Sequence, residues 1–267
     1  MLLARILSAI AMAVVFVFGL FALDKIGFMF FLGGVVVVGA WEWARLSDIT
    51  SQTGRLSFAG LTGTMLYGID LFSLQNVLLY ITPILWAGAF FWVVCYPKIS
   101  SWKHPLVRLF FGLSILITTW SAFIVLKDQV NFVTWILVLM GLIWGADTGA
   151  YFCGRRFGKR KLARYVSPGK SWEGVIGGVV LTQFGVLIFS FLQDFSTISW
   201  LTLAVIALIT VLVSVLGDLT ESLFKRHTGI KDSSQLIPGH GGVLDRVDSL
   251  LSASPIFVLL LGIVGWL

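Results

Sequence analysis

The feature that most limits what this chain can fold into is a succession of apolar runs, most of them about 20 residues long, separated by short polar breaks. They lie at 4–23, 26–46, 56–69, 74–96, 106–126, 130–152, 172–192, 198–217 and 250–267. A helix of about 20 residues spans the roughly 30 Å hydrocarbon core with every backbone N–H and C=O bonded internally. Nine such runs predict an all-α integral membrane protein, a polytopic bundle of about nine transmembrane helices. Composition agrees: 58% of the residues are hydrophobic and 12% charged, whereas a soluble domain carries roughly 25% charge. A transmembrane barrel is excluded, since its strands would alternate polar and apolar residues over about ten positions. The third run is the weakest, because Gly60, Thr62, Gly63, Thr64 and Gly68 lower its hydropathy while suiting close helix packing.

Charge is distributed as unevenly as hydropathy. Of the 19 Lys and Arg, Lys25 and Lys127 fall at one end of the nine-helix pattern and the other 17 at the opposite end. Basic residues concentrate on the cytoplasmic side of membrane proteins. The pattern therefore predicts a cytoplasmic N-terminus and an external C-terminus, in the inner (cytoplasmic) membrane. The net charge of +6 is explained by topology, and nucleic acid is not an expected partner. Arg5 ahead of an apolar stretch, with Ala11-Met12-Ala13, has the look of a cleavable leader, but the run continues to Leu23 and a retained helix is expected. Cys95 and Cys153 show no paired-ligand spacing, so neither a disulfide framework nor a zinc site is expected. The chain reads as one membrane domain, with five spans in 1–129 and four spans plus two long cytoplasmic loops, 154–171 and 218–249, in 130–267.

The second loop carries the sharper chemistry. Asp218, Glu221 and Ser222 share one face if the preceding helix continues, and Asp245 and Asp248 share another. Carboxylates gathered near a membrane interface repel one another and call for a cation, and an all-oxygen set suits Mg2+ or another hard cation. Interfacial salt bridges with Lys225, Arg226 and Arg246 are the plainer alternative. Between the two acidic faces lies Pro238-Gly239-His240-Gly241-Gly242, whose backbone N–H groups are expected to cradle an anion. His240 also reads as a hydrogen-bonding turn residue, and His227 as interfacial.

Ahead of the first loop, Asp147 lies inside the sixth run with Tyr151 one turn further on the same face, and an intramembrane acid is a functional candidate by default. Seven Lys/Arg from Arg155 to Lys170, Lys159 among them, are interrupted by Gly154, Gly158 and the turn Ser167-Pro168-Gly169. A polyphosphate cradle fits this pattern, and a topogenic or anionic-lipid-binding loop is the alternative. Glu42 in the second run is a further intramembrane acid, with Arg45 as its expected partner.

The run S-L-F-K-R, then K-D, then P-G-H-G-G-V-L-D-R-V-D, from Ser222 to Asp248, resembles the signature of the phosphatidate cytidylyltransferases, also called CDP-diacylglycerol synthases. The elements D-T-G-A-Y, G-R-R-F-G-K and S-P-G-K-S-W-E-G, from Asp147 to Gly174, resemble that family's second well-matched region. Members often read S-P-K-K-T-W-E-G, so Gly169 and Ser171 are mild departures. The resemblance implies transfer of the cytidylyl group of CTP to phosphatidic acid, giving CDP-diacylglycerol and pyrophosphate. It also implies a homodimer in the lipid bilayer. It places a Mg2+-containing centre, with a second cation such as K+ in a two-cation version, on Asp218, Ser222, Asp245 and Asp248. Lys225, Arg226, Lys231, His240 and Arg246 match other signature positions; Gly241, Gly242 and Glu173 fall within the matched elements as substrate-binding candidates. On this reading Asp218 and Asp245 hold the metal against the CTP phosphates while basic residues steady the departing pyrophosphate. A cation-coupled transporter is the rival, but it would put polar residues at mid-depth in several spans. A CDP-alcohol phosphatidyltransferase would show a D-G-x-x-A-R run, which is absent.

Overall fold

The structure, a computed structural model, describes residues 2–267, with side chains from Ile6 onward; the Arg5 side chain lies outside the described residues. Helices α1 (Leu2–Phe21), α2 (Lys25–Leu46) and α3 (Gln52–Leu71) are followed by α4 (Gln75–Leu79) and α5 (Thr82–Cys95), which together make one crossing. Then come α6 (Pro105–Lys127), α7 (Phe132–Phe157), α8 (Trp172–Leu192), α9 (Thr197–His227) and α10 (Leu244–Ile263). Among the described residues, seven segments are long and apolar enough to cross a membrane. The two that fall short are α3, the run diluted by Gly and Thr, and α1, whose described part is shorter.

Helix α6 is the axis of the bundle. Every side chain from Ser114 to Leu126 is buried, as expected for a helix that is apolar all round. Most of its hydroxyls are satisfied by carbonyls: Thr118 donates to Ser114 and Thr119 to Leu251 of α10, while the Ser121 hydroxyl is buried without a partner among the described residues. Near one end of the bundle, Trp43 of α2, Phe111 of α6 and Phe224 of α9 interlock, with Trp43 edge-on to Phe224 at 5.3 Å. Small residues set the closest helix contacts. A Cβ on Gly149 of α7 would sit 2.5 Å from the Gly177 carbonyl of α8, and one on Gly217 of α9 would sit 2.7 Å from the Asp248 carbonyl of α10. Nothing larger than glycine fits at either crossing.

Long-range bonds sort the polar ends into two faces. Ser8 meets Pro238 and His240, Arg45 meets Ser233, Lys170 meets Asp218 and Arg226 meets Val166. The other face holds Lys25 with Asp128 at 2.8 Å, and Lys127 on the Leu20 carbonyl. This division follows the one drawn from charge.

Two expectations are corrected, the place of the turn in the first loop and the end of the sixth run. In that loop Lys161–Ala163 (β1) and Ser167–Ser171 (β2) pair antiparallel, Lys161 opposite Ser171 and Ala163 opposite Ser167, with a register shift between them. The turn lies at 164–166 and not at Ser167-Pro168-Gly169, because Val166 buries its side chain, donates to the Ala163 carbonyl and leaves its own carbonyl to Arg226. Helix α7 also runs on through Gly154 to Phe157, and the Gly158 N–H closes the last turn onto the Gly154 carbonyl.

Candidate functional site

The site forms where α7, α9 and α10 meet the β-hairpin. Helix α9 continues unbroken from the bilayer through Gly217 to His227, which puts Asp218, Glu221, Ser222 and Lys225 on successive turns. The Gly217 crossing brings α10 alongside, with Asp248 at the contact. Asp248 and Asp218 thus repel one another across two helices, and Asp147 of α7 lies within electrostatic reach of Asp218. Lys170 supplies the shared counter-charge: its Nζ is 2.5 Å from Asp218 Oδ2, and both Asp147 and Asp248 feel its charge. The Ser222 hydroxyl donates to Asp218 Oδ1 at 3.3 Å.

The sequence around Lys170 explains its aim. Alternation along β2 turns Lys170 and Ser171 to different sides. Ser171 is buried and caps α8 by accepting the Gly174 N–H at 3.2 Å. Glu173 reaches back to the Lys159 and Arg160 amides and pairs with Arg160 Nε at 3.5 Å, clamping the base of the hairpin. The departures from the family pattern are benign: threonine caps helices as serine does, and a Cβ on Gly169 would meet nothing within 4 Å. Arg155 donates to the Tyr151 hydroxyl at 3.0 Å. Among the described residues, Arg155, Arg156, Lys159, Lys161 and Arg164 make no ion pair.

Asp245 departs from the expected partnership with Asp218. Its Oδ1 accepts from Lys225 Nζ at 2.9 Å, and its Oδ2 from the Ser233 amide and hydroxyl, both at 2.9 Å, and from the Gly242 amide at 2.7 Å. Four donors hold the carboxylate, three of them on Oδ2. Lys225, largely buried, is paired in turn with Glu221 at 3.1 Å, and both Glu221 oxygens are buried without a hydrogen bond among the described residues. Arg226 is spent on the Val166 carbonyl; Arg246 and Lys231 are exposed, and neither makes an ion pair among the described residues.

The anion cradle expected of the glycine-rich loop is filled by the protein itself. The amides of His240 and Gly241 close a turn onto Ile237, Gly242 donates to Asp245, and Val243 and Leu244 donate to Glu42 at 3.0 and 2.8 Å. Gly241 has φ +87, a backbone region that favours glycine. Gly242 is fixed by space, since a Cβ there would meet Ser233 Oγ and Glu42. His240 Nδ1 lies 2.8 Å from Ser8 Oγ, a turn residue's role. Glu42 is likewise not paired with Arg45; it is buried beneath the loop, where it also accepts from the Ser233 and Ser234 hydroxyls. Sequence reasoning flagged Glu42 but missed Ser233 and Ser234; the only hint was a pair of serines just before the glycine-rich turn.

Charge and donor type fit a hard cation. Asp147, Asp218, Glu221, Asp245 and Asp248, five carboxylates, share Lys170 and Lys225, two ammonium groups, and all the carboxylate and hydroxyl donors are oxygen. Among the described residues no three His, Cys, Asp or Glu side chains converge on a metal-binding arrangement; Asp147, Asp218 and Asp248 are the acids near Lys170, while Glu221 and Asp245 hold Lys225.

A family model described as the cytidylyltransferase family matches residues 3–264. The chain belongs to that family. It is 43% identical over 268 residues to the phosphatidate cytidylyltransferase of Pseudomonas aeruginosa, covering 100% of this chain and 99% of the relative. The namesake from Haemophilus influenzae is 42% identical over 280 residues, covering 96% and 97%, and that from Brucella suis 35% over 256 residues, covering 96% and 91%. Full-length coverage means that the cytidylyltransferase likeness includes the N-terminal helices, which supply Glu42, as well as the signature half.

Proposed function

We propose that this membrane-embedded cytidylyltransferase transfers the cytidylyl group of CTP to phosphatidic acid, forming CDP-diacylglycerol and pyrophosphate in phospholipid biosynthesis. The observation that carries the reading is the ion pair between Lys170 and Asp218, which joins an acidic centre at the end of the bundle to a hairpin whose Lys159, Lys161 and Arg164 make no ion pair among the described residues. A nucleotide polyphosphate and a lipid phosphate, both anionic, need that combination. A phosphomonoester has a second pKa near 6 and is already an anionic nucleophile at pH 7, so no strong base is required. An oxygen of the lipid phosphate bonds to the α-phosphorus of CTP as the bond from that phosphorus to the bridging oxygen breaks, and pyrophosphate leaves with the electron pair. Lys170, Arg155 and Lys159 neutralise and orient the phosphates, and Tyr151 steadies Arg155.

Asp218, Asp248 and the Ser222 hydroxyl are the residues that would hold Mg2+, with a second cation such as K+ answering the remaining negative charge. Bound there, Mg2+ would supply the positive charge that lets acids and nucleotide phosphates share one site. Asp245 serves this centre by fixing the start of α10. Positive-inside charge supports an active site facing the cytoplasm in the inner membrane. A homodimer is supported by α3, where Gly60 and Gly68 leave open space for close approach of a second copy; disulfide trapping of G60C protein in membranes should yield a dimer band, and none would form in a monomer.

The test is purified protein in detergent with CTP, Mg2+ and phosphatidic acid. Pyrophosphate release is expected only when all three are present. Release without the lipid would make the protein a nucleotidase and overturn the reading.

A further inference from the structure

We propose that Glu42 is a positioning residue for the transfer reaction, fixing from α2 the first turns of α10 and hence Asp245 and Asp248; this rests on the function proposed above. The Glu42 side chain is fully buried, and its bonds reach Ser233, Ser234, Val243 and Leu244, 191 to 202 positions along the chain. Each oxygen accepts one hydroxyl and one amide: Oε1 takes Ser234 Oγ at 2.5 Å and Val243 N at 3.0 Å, and Oε2 takes Ser233 Oγ at 3.1 Å and Leu244 N at 2.8 Å.

Helix α10 lacks an N-cap of its own. Val243 occupies that position with no side-chain cap, whereas α2, α3, α8 and α9 are capped by Asp24, Ser51, Ser171 and Ser196. The first amides of a helix need an acceptor, and a carboxylate there also meets the positive end of the helix dipole. Glu42 supplies both from a different helix. Arg45, one turn on, donates to the Ser233 carbonyl at 3.2 Å, so the end of α2 forms a platform on which the loop and the α10 terminus sit. Asp245 and Asp248 lie in the first two turns above that platform.

Glutamine is nearly isosteric with glutamate but cannot serve here. Each Glu42 oxygen faces an amide N–H that can only donate. Whichever way the carboxamide of E42Q is turned, its NH2 opposes a donor and one helix-capping bond is lost. The experiment compares wild type, E42Q and E42D in detergent by steady-state kinetics and hydrogen–deuterium exchange. In E42Q, kcat should fall about tenfold or more while KM for CTP stays within about threefold, as expected for misplaced reacting groups with binding kept. Exchange should rise across 233–248 and remain unchanged in α7 and α8. E42D, which keeps both acceptors, should regain at least about threefold in kcat over E42Q. A kcat within about twofold of wild type overturns the proposal; so does exchange that rises throughout the chain, which would make Glu42 a general stability element. If E42Q does not accumulate, S234A removes one hydroxyl and keeps both amides, and should show the same confined exchange with a smaller loss of kcat; normal exchange and kcat there overturn the proposal. If wild type shows no CTP-dependent turnover, the functional reading fails, and the exchange maps still decide whether Glu42 anchors α10.

Discussion

The glycine-rich loop at 228–243 and the basic hairpin at 158–171 lie on the same face of the molecule but are held in opposite ways. The loop spends its polar groups on the protein: the amides from His240 to Leu244 all have internal acceptors, and two buried carboxylates, Glu42 and Asp245, lie beneath it. The hairpin is tied at only a few points, by Glu173 at its base, Lys170 at Asp218 and Val166 at Arg226, and most of its charges face outward unpaired among the described residues. One element is a finished frame and the other a set of free cations. Buried hydrogen bonds fix where the acids stand, and exposed Lys and Arg remain able to meet a charged substrate.

That contrast can be broken at several points. The largest effect is expected from crowding the frame: G242A places a methyl against Ser233 and Glu42 and should cost about 1–3 kcal/mol in thermal or denaturant unfolding. G169A in the open hairpin should change stability by no more than about 0.5 kcal/mol; equal losses would erase the distinction. Next, K170M cuts the link between the two elements, and kcat/KM for CTP should drop about tenfold, with K170R recovering part of it. Smaller again, R156Q or K161Q should lower kcat/KM only severalfold, and the deficit should shrink as salt rises past about 0.15 M, because exposed charges are screened. Smallest, K25A removes the exposed ion pair with Asp128 on the opposite face and should cost about 0–1 kcal/mol in stability with turnover unchanged.

Hydropathy made the helices legible, because the bilayer demands long apolar runs and leaves few other solutions. The run 198–217 and the spacing of Asp218, Glu221 and Ser222 anticipated that α9 would carry the acids out of the membrane, and it does. The partners of those acids were not legible. Asp245 and Asp218 match equally well to a motif, yet one is latched to Ser233 and Gly242 while the other meets Lys170; the choice depends on how α9 and α10 cross at Gly217, a tertiary fact. The same holds for Glu42, whose neighbour in sequence, Arg45, proved less relevant than amides about two hundred positions away. Ser167-Pro168-Gly169 is a strong local turn signal, but the turn falls at 164–166 because Val166 is buried.

The most direct test of the account is to follow CTP labelled at its α-phosphate into the lipid phase, using wild-type, D218N and D248N proteins that remain monodisperse in detergent. Wild type should transfer label to phosphatidic acid in a Mg2+-dependent way, and each variant should lose about a hundredfold or more. Label that stays with the nucleotide in wild type, or variants that transfer it at the wild-type rate, would contradict it.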